Sequence, residues 1–134
     1  MLYIEGEQSA VQIFKTKAFA RFARKESLTD EALAQAIAAA EIDPDADLGG
    51  GLIKQRVARP GQGKSSGYRT IIAFRRGNLA FFVFGFAKSD RGNISVVEER
   101  ALRKLAANLL TASEEQRASL LRLGEIVEVR NDER

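Results

Sequence analysis

The chain has 134 residues and a net charge of +3, with 45% hydrophobic and 29% charged side chains, the balance of a single soluble globular domain over 1–134. It has no cysteine and no histidine, which excludes a disulfide framework, a thiolate zinc site, a Ser-His-Asp triad and a Cys-His dyad. The longest uncharged apolar run, Asn78 to Ala87, is about half a membrane span, and Met1 to Ala10 carries two acids and no base, unlike a signal peptide, so a cytoplasmic protein is expected.

In chain order, Ala10 to Lys15 alternates apolar and polar residues and suits a short strand. Residues 17–26 place Ala18, Phe19, Phe22 and Ala23 at helical spacing. Thr29 reads as the N-cap of a second helix over 30–41, with Asp30 and Glu31 complementing its dipole. Asp43 to Gly51, acidic and glycine-rich, reads as a loop.

Strands are predicted over Leu52–Arg59, Tyr68–Arg76 and Leu79–Ala87, with Pro60–Gly67 as a flexible turn and Gly77-Asn78 as a two-residue hairpin. Leu79–Ala87 is apolar on both faces, so it should be central and covered on both sides. Ser95 with Glu98 forms a capping box for a helix over 96–110. Ser113 with Gln116 forms another for a helix over 114–123, closed by Gly124. Glu125–Val129 alternates and suits a last short strand. The predicted class is α+β: an antiparallel, partly mixed sheet packed by N-terminal and C-terminal helices.

Charge is segregated along this plan. Residues 1–51 carry net −4 and residues 92–134 net −1, whereas 52–91 hold nine basic side chains and one acid, net +8. The nine are Lys54, Arg56, Arg59, Lys64, Arg69, Arg75, Arg76, Lys88 and Arg91. Such a block is an electrostatic footprint for a polyanion, nucleic acid first; the plainer alternative is a solvated basic face. Alternate strand residues share a face, so Lys54 and Arg56 oppose Ile53 and Val57. If Arg59 faces Tyr68 and Ala58 faces Arg69, then Lys54, Arg56 and Arg69 project together, with Arg59, Lys64, Lys88 and Arg91 around them. Gly61-Gln62-Gly63-Lys64-Ser65 is not a nucleotide-binding P-loop: Ala58 stands where the first glycine belongs, and a strand follows instead of a helix.

The stretches LIKQRVARPGQGKSSGYRTIIAF (52–74) and FVFGFAKSDRGNI (82–94), with the tail GEIVEV, resemble RelE/HigB-type toxins of bacterial type II toxin–antitoxin modules, the HigB-like branch most. The resemblance extends from about Phe14 to Val129. It implies a ribosome-dependent mRNA endoribonuclease held in check by an antitoxin, expected to be a helix-turn-helix protein encoded beside it. It implies that Lys54 and Arg56 are the two basic residues of the second-strand motif, Arg69 the transition-state arginine, and Lys88 the lysine closing the third core strand. Ser89 stands where the family has a further arginine, with Arg91 two residues on, and Ser95 where it has a base-stacking tyrosine. Arg59, Lys64 and Arg91 are expected to hold RNA phosphates.

That chemistry accommodates a chain without histidine. RNA supplies its own nucleophile, the 2′-OH, and the protein need only move protons and neutralise phosphate charge, tasks open to Lys and Arg. No cofactor or metal is expected. Two rivals remain: a toxin of the same superfamily that inhibits DNA gyrase without cutting RNA, and a non-catalytic RNA-binding module. The first would lack the basic constellation. The second usually carries exposed sheet aromatics, whereas Phe81, Phe82, Phe84 and Phe86 lie in a strand read as buried. Tyr68 reads as a core aromatic.

Overall fold

A computed structural model describes residues 11–58 and 67–130. Six strands form one sheet: β1 Gln12–Thr16, β2 Ala46–Gly49, β3 Leu52–Val57, β4 Tyr68–Arg75, β5 Leu79–Ala87 and β6 Ile126–Glu128. Their spatial order is β2-β3-β4-β5-β1-β6, antiparallel except for the β1–β5 pair. Helices α1 (Lys17–Glu26) and α2 (Asp30–Ile42) follow β1; α3 (Val96–Thr111) and α4 (Glu114–Arg122) follow β5. The fold is α+β, as the sequence predicts.

The helix ends follow the predicted chemistry. The Thr29 hydroxyl accepts from the Ala32 N–H at 3.1 Å. Both capping boxes form, Ser95 with Glu98 and Ser113 with Gln116. One cap was not foreseen: the Thr16 hydroxyl accepts from the Phe19 N–H at 3.2 Å, starting α1 directly at the end of β1.

Two turns differ from expectation. The predicted loop over Asp43–Gly51 contains β2, which pairs antiparallel with β3. Asp and Gly have low strand propensity, but the open edge of β3 overrides it. The Gln55 side chain accepts from the Asp45 N–H at 3.0 Å, and the Asp45 carboxylate accepts from the Arg56 N–H at 2.7 Å. Gly49, Gly50 and Gly51 then reverse the chain at φ of 86°, 64° and 82°, a run that only glycine adopts without strain. The β4–β5 hairpin has a three-residue loop, not two: Arg75 pairs with Leu79, and Asn78 N–H donates to Arg75 C=O at 3.0 Å. The turn at 59–66 lies outside the described residues.

Each face of the sheet has its own core. On one face Ile53, Val57, Tyr68, Ile72, Phe74, Ala80 and Phe82 pack under α1 and α2 through Phe19, Leu33 and Ile37. On the other, Leu52, Ile71, Ala73, Leu79 and Phe81 pack under α3 through Ala106, Leu109 and Leu110. Strand β5 therefore sits between β4 and β1 with apolar cover above and below, which explains its unbroken hydrophobicity. Gly85 is the exception within it. A Cβ there would stand 2.6 Å from the Phe22 ring and 2.9 Å from the Phe19 ring, so glycine lets α1 lie close on the sheet. Tyr68 is a core residue as predicted, 2% exposed, with its hydroxyl donating to Glu26 Oε1 at 2.8 Å.

Candidate functional site

The second face is only partly roofed. Helix α3 crosses the end of the sheet near Leu52, Ala73 and Leu79, and the opposite end of the same face carries the cations. Register fixes their arrangement. Arg56 is the direct cross-strand partner of Arg69, and Arg69 has Phe86 on its other side. In the same sense, Lys54 lies across from Ile71, and Ile71 from Phe84. Lys54, Arg56 and Arg69 thus share one face, as strand parity predicts. The assumed pairing of Ala58 with Arg69 and Arg59 with Tyr68 is wrong by two residues, because Val57 pairs with Tyr68 and the connecting turn is longer. A shift of two keeps every side chain on its face, so the cluster survives the error.

The cluster is electrostatically unbalanced. Arginines directly opposite each other on neighbouring strands repel, which weakens the sheet locally. Among the described residues the ion pairs are Lys15–Asp30, Arg91–Glu98 and Arg103–Glu99, so Lys54, Arg56, Arg69 and Lys88 have no carboxylate partner there. Arg69 is more unusual still. Its side chain is half-buried, and its Nη1 is buried with no hydrogen-bond partner among the described residues. Leaving such a donor unmet costs about 1–3 kcal/mol, more for a charged group. An anion placed against it would meet that donor.

A strap over residues 88–94 borders the cluster. The chain turns after β5, with Asp90 and Arg91 N–H both donating to Ala87 C=O. The Arg91 guanidinium lies 5.6 Å from the Phe84 ring centre and 5.3 Å from that of Phe86, and pairs with Glu98. Asn93 Oδ1 accepts from Lys54 Nζ at 3.2 Å, and Ile94 is buried in the core below α3. The strap therefore runs from above Phe84 and Phe86 on β5 to the Lys54 side chain of β3, along the border of the cluster. Glu98 serves both this pair and the capping box, and its carboxyl is held below its ordinary value, first by the Ser95 N–H and then by Arg91.

Of the predicted site residues, Lys54, Arg56 and Arg69 come together, and Arg91 lies above the phenylalanines beside them. Lys88 is exposed at the end of β5, where its N–H meets Gly67 C=O at 3.4 Å. Arg59 and Lys64 lie outside the described residues. Arg75 is not part of the cluster: its guanidinium caps the C-terminal end of α3 by donating to Leu110 C=O. Sequence reasoning missed Asn93 altogether and read Glu98 only as a cap. It also treated β5 as uniformly buried, whereas Phe84 is half-buried, displaced by a bulge that puts Val83 and Phe84 on the same side.

Among the described residues, this α+β domain gathers Lys54, Arg56 and Arg69 on one sheet face with no carboxylate partner. The family model described as RelE toxin of the RelE / RelB toxin-antitoxin system matches residues 11–129, and the chain belongs to that family. No curated protein matches it. Among the described residues no helix is long and apolar enough to cross a membrane. Membership in a toxin–antitoxin family implies an antitoxin partner.

Proposed function

We propose that this toxin is an endoribonuclease that cuts mRNA on the ribosome in the bacterial cytoplasm. The observation that carries the reading is Arg69, fixed between Arg56 and Phe86 with a buried donor unmet among the described residues. In the reaction, Lys54 in its neutral form takes the proton of a 2′-OH. The 2′-oxygen bonds to the adjacent phosphorus, and the bond from phosphorus to the 5′-oxygen breaks. Arg69, with Arg56, neutralises charge growing on the non-bridging oxygens, for which a planar guanidinium fork is well shaped. The leaving 5′-oxygen takes a proton from Lys88, leaving a cyclic 2′,3′-phosphate. Arg91, Arg59 and Lys64 hold flanking phosphates.

The test is primer extension on cellular mRNA after induction, with wild type beside Arg69→Ala. New 5′ ends only with wild type support the reading. Growth arrest with intact transcripts and DNA damage would replace it with gyrase inhibition. Binding without any cut product would reduce it to RNA binding.

Lys54→Ala and Arg56→Ala should each weaken binding of a single-stranded RNA. Each lost phosphate contact should flatten the slope of log affinity against log salt by about 0.7. Filter binding across a salt series measures this, and a slope unchanged in both variants would remove these side chains from the phosphate contacts.

The antitoxin is expected to be a small helix-turn-helix protein from the neighbouring gene that covers or distorts the basic face, leaving the acid-rich N-terminal half outside the contact. Co-expression should restore growth and yield a co-purifying pair. Undiminished toxicity with no complex would count against that partner.

A further inference from the structure

We infer that Asn93 is a positioning residue that sets the Lys54 Nζ for reaction, an inference that rests on the reading of Lys54 as a reacting group. Lys54 is a long side chain on a half-open face, and four rotatable bonds leave its Nζ many places to go. One described contact holds it: Asn93 Oδ1, at 3.2 Å. That oxygen is itself fixed, because it also accepts from the Ile94 N–H at 2.9 Å. Both neighbours are donors, so the amide can present only its oxygen to them, and the orientation of the Asn93 side chain is determined by its surroundings. Ile94 is 9% exposed and belongs to the core under α3, so the acceptor is tied to the rigid part of the molecule.

The choice of an amide matters. A carboxylate at this point would satisfy the same two donors, but it would neutralise one of the few cations facing the RNA and would favour the charged form of the lysine. An amide fixes the position and leaves the charge uncompensated. The neighbouring cation is handled differently: Arg91 is held by a true carboxylate, Glu98, and by two aromatic rings. The strap thus holds an arginine with a charge and a lysine with a neutral dipole, a division that fits a lysine expected to exchange a proton and an arginine expected only to bind.

The experiment is single-turnover cleavage of mRNA on programmed ribosomes at saturating toxin, across a pH series, for wild type, Asn93→Ala, Asn93→Asp, Lys54→Ala and the Lys54→Ala/Asn93→Ala double variant. Asn93→Ala should lower the cleavage rate constant by about 10- to 100-fold, the loss expected from a reacting group misplaced by about 1 Å. The half-saturating concentration should change little. The double variant should be no slower than Lys54→Ala, since Asn93 acts only through the lysine. Asn93→Asp keeps the acceptor for the Ile94 N–H and should fold even where the alanine variant does not. Its rate profile should move to higher pH. A wild-type rate for Asn93→Ala beside a slow Lys54→Ala overturns the inference alone, as does a wild-type pH profile for Asn93→Asp or an additive loss in the double variant. A wild-type rate for Lys54→Ala overturns the role of the lysine and the inference with it.

Discussion

Arg69→Ala is expected to give a folded protein that no longer cuts mRNA, with the cleavage rate lowered about 10²- to 10³-fold, the usual loss when one preorganised charge donor is removed from a reacting centre. Three observations set the expectation. The side chain is held on a central strand between Arg56 and Phe86, so its guanidinium needs little reorganisation when charge develops on phosphate. Its Nη1 is buried with no partner among the described residues, so none of them already takes that donor. Its charge lies directly across from that of Arg56, a repulsion that an anion between them would relieve. The same facts fix the stability of the variant. Alanine removes a buried donor that no described residue meets and a like-charge pair, so the melting temperature should equal or exceed that of wild type. Thermal denaturation and primer extension on the same preparations separate the two effects. A variant that melts early and fails to cut would mean that Arg69 is structural; one that cuts at the wild-type rate would remove it from the reaction.

That trade, in which a destabilising arrangement persists at the proposed site, is also the reason the site was partly legible in the sequence. Nine cations against one acid in 52–91 are visible without coordinates, and strand parity alone places Lys54, Arg56 and Arg69 on one face. Parity is insensitive to a two-residue register error, so the wrong pairing of Ala58 with Arg69 did no harm. Helix starts were legible for a similar reason: Thr29, Ser95 and Ser113 cap their own helices through contacts three residues away.

What depends on distant partners was not legible. Ala46–Gly49 has the composition of a loop and becomes a strand because β3 offers it an edge. The bulge at Val83 has no local sequence mark, yet it raises Phe84 toward Arg91. Asn93 meets Lys54 across 39 residues of sequence, and nothing near position 93 announces it. Nor did charge alone separate Arg75, spent on the end of α3, from Arg69, which has a buried nitrogen unmet among the described residues.

Phe82→Ala should be the most damaging single change to the fold, costing about 3–5 kcal/mol. Phe82 is 0% exposed. Its ring centre lies 5.1 Å from that of Phe19 on α1, and its backbone is flanked by Ile72 on β4 and Lys15 on β1. It therefore joins the strand that holds the sheet together to the helix layer that covers it. Truncation would leave a void bounded by Phe19, which is 1% exposed and hemmed in by Phe22, so the neighbours have little room to collapse inward. Against a total stability of about 5–15 kcal/mol for a domain, such a loss should lower the melting temperature on the order of 10–20 °C. Urea denaturation would report the same loss as a lower midpoint with an unchanged slope. Toxicity should fall as well, but with the amount of folded protein and not at constant fold, which is the reverse of Arg69→Ala. A Phe82→Ala variant melting within a few degrees of wild type would mean that β5 is not the buried centre of the sheet, and the rung that places Arg69 between Arg56 and Phe86 would lose its support.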